Sequence, residues 1–101
     1  MTDYRLVVRM RADLDIAEAV QWYESRQPGL GVAFLEQLRG TYDRIAASPL
    51  GYQKLRGEIR RALTRRFPYA VYFIVEESLV VGTAVLHLRR DPSAWQKRGP
   101  A

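Results

Sequence analysis

The chain contains no cysteine and a single histidine, His87, among its 101 residues. Disulfides and thiolate metal sites are therefore excluded, and a histidine-rich metal centre cannot be assembled, so neither a catalytic metal nor a bound cofactor is expected. Long apolar runs are also missing. The most apolar segment is broken by Glu76 and Glu77 before it could span a bilayer, and the N-terminal MTDYRLVVRM lacks the hydrophobic stretch of a signal peptide. A cytoplasmic protein that does not contact membranes is the expectation. No GxSxG turn, Walker motif or catalytic carboxylate pair occurs, and neither a repeat nor a linker interrupts the chain. Its length allows one hydrophobic core but not separate substrate and cofactor domains, so 1–101 reads as one domain.

What the chain does have is apolar residues, at 48%, and an excess of positive charge, at +5. The excess is unevenly spread. From residue 52 onward ten basic residues face four acidic ones, whereas the preceding half holds six basic and seven acidic. A basic half points to an anionic partner, either nucleic acid or an acidic protein surface.

The periodicities order the elements. YRLVVRM alternates Tyr4, Leu6, Val8 and Met10 against arginines and a valine, the period-two pattern of a strand. ADLDIAEAVQWYESR places Ile16, Ala19 or Val20, and Tyr23 at helical spacing, with Asp13 as N-cap, and QPGLG ends that helix. Trp22 and Tyr23 are read as core or helix-packing residues. In VAFLEQLRGTYDRIAA, Phe34, Leu38, Tyr42 and Ile45 form an apolar stripe that SPLG stops, so two helices make a hairpin. YQKLRGEIRRALTRRF is read as a strand. YAVYFIVEE is apolar on both parities, as in a central strand, and its short link to LVVGTAVLHLRR forces antiparallel pairing. The expected fold is α+β: β-α-α-β-β-β, a curved antiparallel sheet packed against a helical hairpin.

Two apolar strands carry arginines at their mouths. In the last one, parity puts Val81, Thr83, Val85, His87 and Arg89 on one face, with Ala84, Leu86, Leu88 and Arg90 on the other. Same-face neighbours lie about 6.5 to 7 Å apart, so His87 and Arg89 could act on one group. Arg60, Arg61, Arg65 and Arg66, with Lys54 and Arg56, are expected to form one positive surface. Their forked guanidiniums suit phosphates and acidic peptides equally. His87 is the side chain placed to titrate near neutral pH. Asp91 and Pro92 end the strand, and Trp95 either caps the core or stacks a base.

Four stretches carry a resemblance: DLDIAEAVQWYE, GLGVAFLEQL, SPLGYQKLRGEIRRALTRRFPYAVYF and VLHLRRDPSAW. Together, in this order and spacing, they resemble the RelE/ParE superfamily of type II toxin-antitoxin toxins, or plasmid stabilisation proteins, over nearly the whole chain. The resemblance implies the same β-α-α-β-β-β fold and a growth-inhibiting toxin neutralised by a cognate antitoxin, acidic and partly disordered when free. A free chain can also dimerise through the surface the antitoxin would cover. Two mechanisms occur in the superfamily. RelE-like members are ribosome-dependent mRNA endonucleases (mRNA interferases) that use basic residues and often a C-terminal tyrosine; ParE-like members poison DNA gyrase. Lys54 and Arg56 match a basic pair of the nucleases, and Arg89 a basic residue of their last strand. The arginine expected in the preceding strand falls near Tyr69, however, and the tyrosine position falls on Trp95, which has no ionisable hydroxyl. The resemblance is thus closer to ParE-like members, with gyrase as target and Lys54, Arg56, Arg60, Arg61, Arg65, Arg66, Arg89, Arg90 and Trp95 as contact residues. The alternative is a nuclease acting on the ribosome and mRNA, with catalytic candidates His87, Arg89, Arg66 and Lys54. A third version is a non-toxic orphan member. Whether the chain is an enzyme stays open at this stage.

Overall fold

The computed structural model describes residues 3–99. A short strand β1 (Arg5–Val8) leads into α1 (Met10–Arg26) and α2 (Leu30–Ala47). The strands β2 (Lys54–Arg56), β3 (Ile59–Leu63), β4 (Tyr69–Glu76) and β5 (Leu79–His87) follow, then the one-turn helix α3 (Ser93–Gln96). The sheet order is β1-β5-β4-β3-β2. The α+β class and the helical hairpin are as expected, with two differences in the sheet. β1 runs parallel to β5, which makes the sheet mixed, and the segment read as one strand is a hairpin of two. The cause of the second is Gly57, whose φ of 56° turns the chain between β2 and β3. Among the described residues no helix is long and apolar enough to cross a membrane.

Met10, expected at the end of the first strand, instead opens α1 and is exposed, and Asp13 sits inside the first helical turn, with Arg9 at the cap. There its carboxylate still favours the positive end of the helix. The stripe on α2 packs as its spacing predicts: Phe34, Leu38, Tyr42 and Ile45 are all buried. On α1 the buried line is Ala12, Asp15, Ala19 and Tyr23, while Trp22 points outward, half exposed, with the Arg26 guanidinium 4.5 Å over its ring. Trp22 is thus no core residue; it lies one step off the inward line, about 100° around the helix.

The two helices are joined through Glu24. Its carboxylate accepts the N–H groups of Gly29 (3.0 Å) and Gly31 (2.9 Å), so a side chain from the end of α1 satisfies the free donors that open α2. Gly29 adopts φ 95°, a left-handed conformation that the sharp turn requires. These backbone bonds hold the Glu24 carboxyl below its ordinary 4.5. A lowered folded-state value means stability that is present above the ordinary value and lost as pH falls through the folded one. Wild type is therefore expected to melt above Glu24→Gln at neutral pH, and the gap should close well below pH 4.5. Melting curves by circular dichroism at both pH values check this; an unchanged gap would contradict it.

β4 is covered on both faces. Tyr69, Val71 and Phe73 pack towards the helices with Val80 and Val85 of β5, whereas Ala70, Tyr72 and Ile74 join Ile59, Val81, Ala84 and Leu86 on the other side. That second face is closed by α3, where Trp95 stacks on Tyr72 at 5.1 Å and 10°. The β4–β5 register contains a bulge. Tyr72 pairs with Ala84 but Phe73 with Gly82, leaving Thr83 as an extra residue. The bulge reverses the expected parity, so Val81 and Val85 lie on opposite faces although four residues apart.

Candidate functional site

The basic residues do not gather into one surface. Arg60, opposite Phe73, belongs to the helix-facing side, and its guanidinium donates to the carbonyls of Tyr52 (2.5 Å) and Leu50 (3.4 Å). It fastens the loop after α2 to the sheet. Arg61, opposite Tyr72, belongs to the other face. Arg56 reaches Gln96 Oε1 at 3.3 Å and Lys54 pairs with Glu58 at 3.0 Å, so both are engaged within their own neighbourhood. β3 ends at Leu63, because the Thr64 hydroxyl donates to the carbonyls of Phe67 and Tyr69 and closes a turn. Arg65 and Arg66 occupy that turn instead of a strand, with Arg66 at φ 73° and its guanidinium 5.3 Å from the Phe67 ring centre.

β5 ends at His87, so Arg89 lies in the turn that follows and shares no strand face with it. The two are linked differently: the Arg89 N–H donates to His87 Nδ1 at 3.0 Å. In the neutral ring the proton is then on Nε2. His87 also packs against Tyr69, ring centres 5.4 Å apart at 75°. Burial pushes the Tyr69 hydroxyl up, Tyr23 adds to this, and Arg90 opposes it. Tyr72 is likewise pushed up by burial, opposed by the nearby Arg61 guanidinium.

Between α1 and the end of β5 lies a cleft of about 360 Å³, lined by Asp15, Glu18, Trp22, Tyr69, His87 and Arg90 among others. Asp15 closes one end. Its carboxylate is buried, takes two bonds from Arg98 (2.6 and 3.1 Å), and accepts the N–H of Val85 at 3.0 Å. Arg98 also reaches the Thr83 carbonyl at 3.3 Å. One ion pair thereby joins α1, the bulge and the C-terminal tail. Sequence reasoning missed it. Asp15 carried a signal, since an acid three residues from Ala12 and four from Ala19 sits on an inward line and needs a partner. Arg98, one of many arginines, carried none.

Trp95 stacks over Tyr72, and among the described residues no cluster of three or more His, Cys, Asp and Glu side chains is placed to hold a metal. The site brings together cationic turns at one end of the sheet and a cleft with mixed aromatic and charged walls.

The fold is a mixed five-stranded sheet backed by a helical hairpin. The same fold occurs in a chain of a solved structure described as the chromosomal ParDE TA system from P. aeruginosa. The two superpose with a TM-score of 0.76 over 84% of this chain and 96% of that one, at 11% sequence identity. No family model and no curated protein matches the sequence.

Proposed function

We propose that this chain is the toxin of a toxin-antitoxin pair and that it inhibits growth by binding a macromolecular target, DNA gyrase or its DNA complex. The observation that carries the binding mode is the dispersal of the basic residues. Arg65, Arg66, Arg89 and Arg90 project from two turns, and Lys54 and Arg56 are paired elsewhere. The fold shared with a chain of a ParDE TA system supports the toxin-antitoxin context, and the basic half supports an acidic antitoxin that orders itself on binding.

Purified protein is expected to inhibit gyrase supercoiling. Single Arg65→Ala, Arg66→Ala, Arg89→Ala and Arg90→Ala changes should each raise the half-inhibiting concentration by no more than about fivefold, since exposed charge contacts contribute roughly 0.2–1 kcal/mol each. His87→Ala should leave inhibition unchanged. Untouched supercoiling at excess protein would sink the gyrase proposal.

One observation favours a second reading, a ribosome-dependent mRNA endonuclease: His87, Tyr69 and Arg90 line a common cleft. In that reading Arg65, Arg66 and Arg89, from the turns beside the cleft, would hold the scissile phosphate and His87 would serve as acid or base. Loss of that group should cost about 10²- to 10⁴-fold in rate, so the same His87→Ala variant separates the two.

A further inference from the structure

We propose that the cleft between α1 and the end of β5 binds an adenine nucleotide. The starting point is the free edge of β5. β1 pairs with it only as far as Gly82, so no strand lies beside Thr83 to His87. The polar main-chain groups of Val85 point out of the sheet, because its N–H reaches Asp15 on α1. Alternation along an extended strand turns those of His87 the same way. The His87 carbonyl is occupied by the Arg90 N–H at 2.9 Å. The Val85 carbonyl and the His87 N–H are left facing the cleft, an acceptor and a donor two residues apart on one edge. Leu86 lines the cleft between them through its backbone, since its side chain packs in the cluster on the opposite face.

An acceptor beside a donor is complementary to the Watson–Crick edge of adenine, where the N6 amino group donates and N1 accepts. Hypoxanthine and guanine present the reverse, an O6 acceptor and an N1–H donor, and would set like against like. The walls suit a flat heterocycle: Trp22 and Tyr69 offer aromatic faces and edges. Glu18 is placed to accept from ribose hydroxyls, and Arg90 to pair with a phosphate. At about 360 Å³ the cleft is at the small end of ligand sites, which run roughly 300–1,000 Å³. A peptide strand could use the same two backbone groups, but it must run on past them. The Asp15–Arg98 pair, bonded to Val85 and Thr83, blocks that course at one end. A single base fits where a strand does not. The proposal stands independently of gyrase binding.

Titration of the full chain with AMP and with IMP, following the His87 amide by ¹⁵N-edited NMR and tryptophan fluorescence, tests it. AMP is expected to bind saturably and shift the His87 amide, with IMP about tenfold weaker or more. Arg90→Ala should weaken AMP while leaving adenosine unchanged, a readout that a merely structural role would not give. A four-residue oligodeoxyadenylate serves as a second probe. If it outcompetes AMP the natural ligand is a base within a strand, and if AMP is the tighter the ligand is a free nucleotide; either supports an adenine site. Equal affinity for AMP and IMP, no saturation at millimolar AMP, or a His87 shift produced only by an extended peptide would overturn the proposal.

Discussion

Asp15→Ala is expected to cost about 3–5 kcal/mol of folding stability, the range for breaking a buried ion pair from one side. The substitution strips Arg98, whose side chain is 12% exposed, of its counter-charge and removes the acceptor of the Val85 N–H at the bulge. A buried guanidinium and a buried amide would then lack partners together, and each carries its own desolvation cost. In a domain of this size a loss of that order lowers Tm by more than about 12 °C. Asp15→Asn should lose less, because an amide oxygen can still accept from Val85. Arg98→Ala added to Asp15→Ala should cost far less than Arg98→Ala in the wild-type chain, since the stranded charge is then gone. Urea unfolding of wild type and the four variants measures all of this. A cost below about 1 kcal/mol for Asp15→Ala would mean that the pair does not bind the tail to the sheet.

The second large effect is expected at Phe34. Its ring is fully buried at the centre of an aromatic cluster, with ring centres 5.0 Å from Tyr69, 5.4 Å from Phe67 and 5.5 Å from Tyr23. Phe34→Ala removes that centre and leaves a cavity which four elements would have to move to fill, at about 3–5 kcal/mol. Phe34→Leu retains most of the volume and should lose no more than half as much. The same denaturant curves, taken with near-ultraviolet circular dichroism of the aromatic cluster, distinguish the two variants. Equal losses would show that edge-to-face ring contacts, and not filled volume, hold the helices to β4.

Much of this core was legible in the sequence. The spacing of Phe34, Leu38, Tyr42 and Ile45 could only be a helix stripe, and the double-sided apolar run from Tyr69 could only be a covered strand. The short link through Glu77, at φ 55°, left no alternative to antiparallel pairing of β4 with β5. What escaped were features that depend on partners distant in the chain. Alternation identifies β1 as a strand but says nothing of its neighbour, and β1 lies parallel to β5, some seventy positions on: Arg5 pairs with Leu79. The bulge at Thr83 leaves no mark on composition, yet it reverses which side chains share a face. Gly57 was a visible turn signal inside a run rich in arginine, where the charge drew more notice than the glycine.

The candidate site divides the same way. That arginines cluster near the strand ends is plain from RRF and LRR; that Arg60 is spent on the carbonyls of Leu50 and Tyr52 is not. The cleft itself is built by Trp22, Tyr69 and His87, which are 18 or more residues apart, and by an edge that exists because β1 stops at Val8. No local pattern encodes such an edge; it follows from the difference in length between two neighbouring strands, four residues in β1 and nine in β5.

Binding to gyrase and cleavage of mRNA differ most simply in what fails first in the cell. Methionine and thymidine incorporation, pulse-labelled side by side within minutes of inducing this chain alone, would show it. Early loss of thymidine incorporation with protein synthesis intact is the expected result and makes the arginine turns a binding surface. Early collapse of methionine incorporation would contradict it and move His87 and the arginines into catalytic roles.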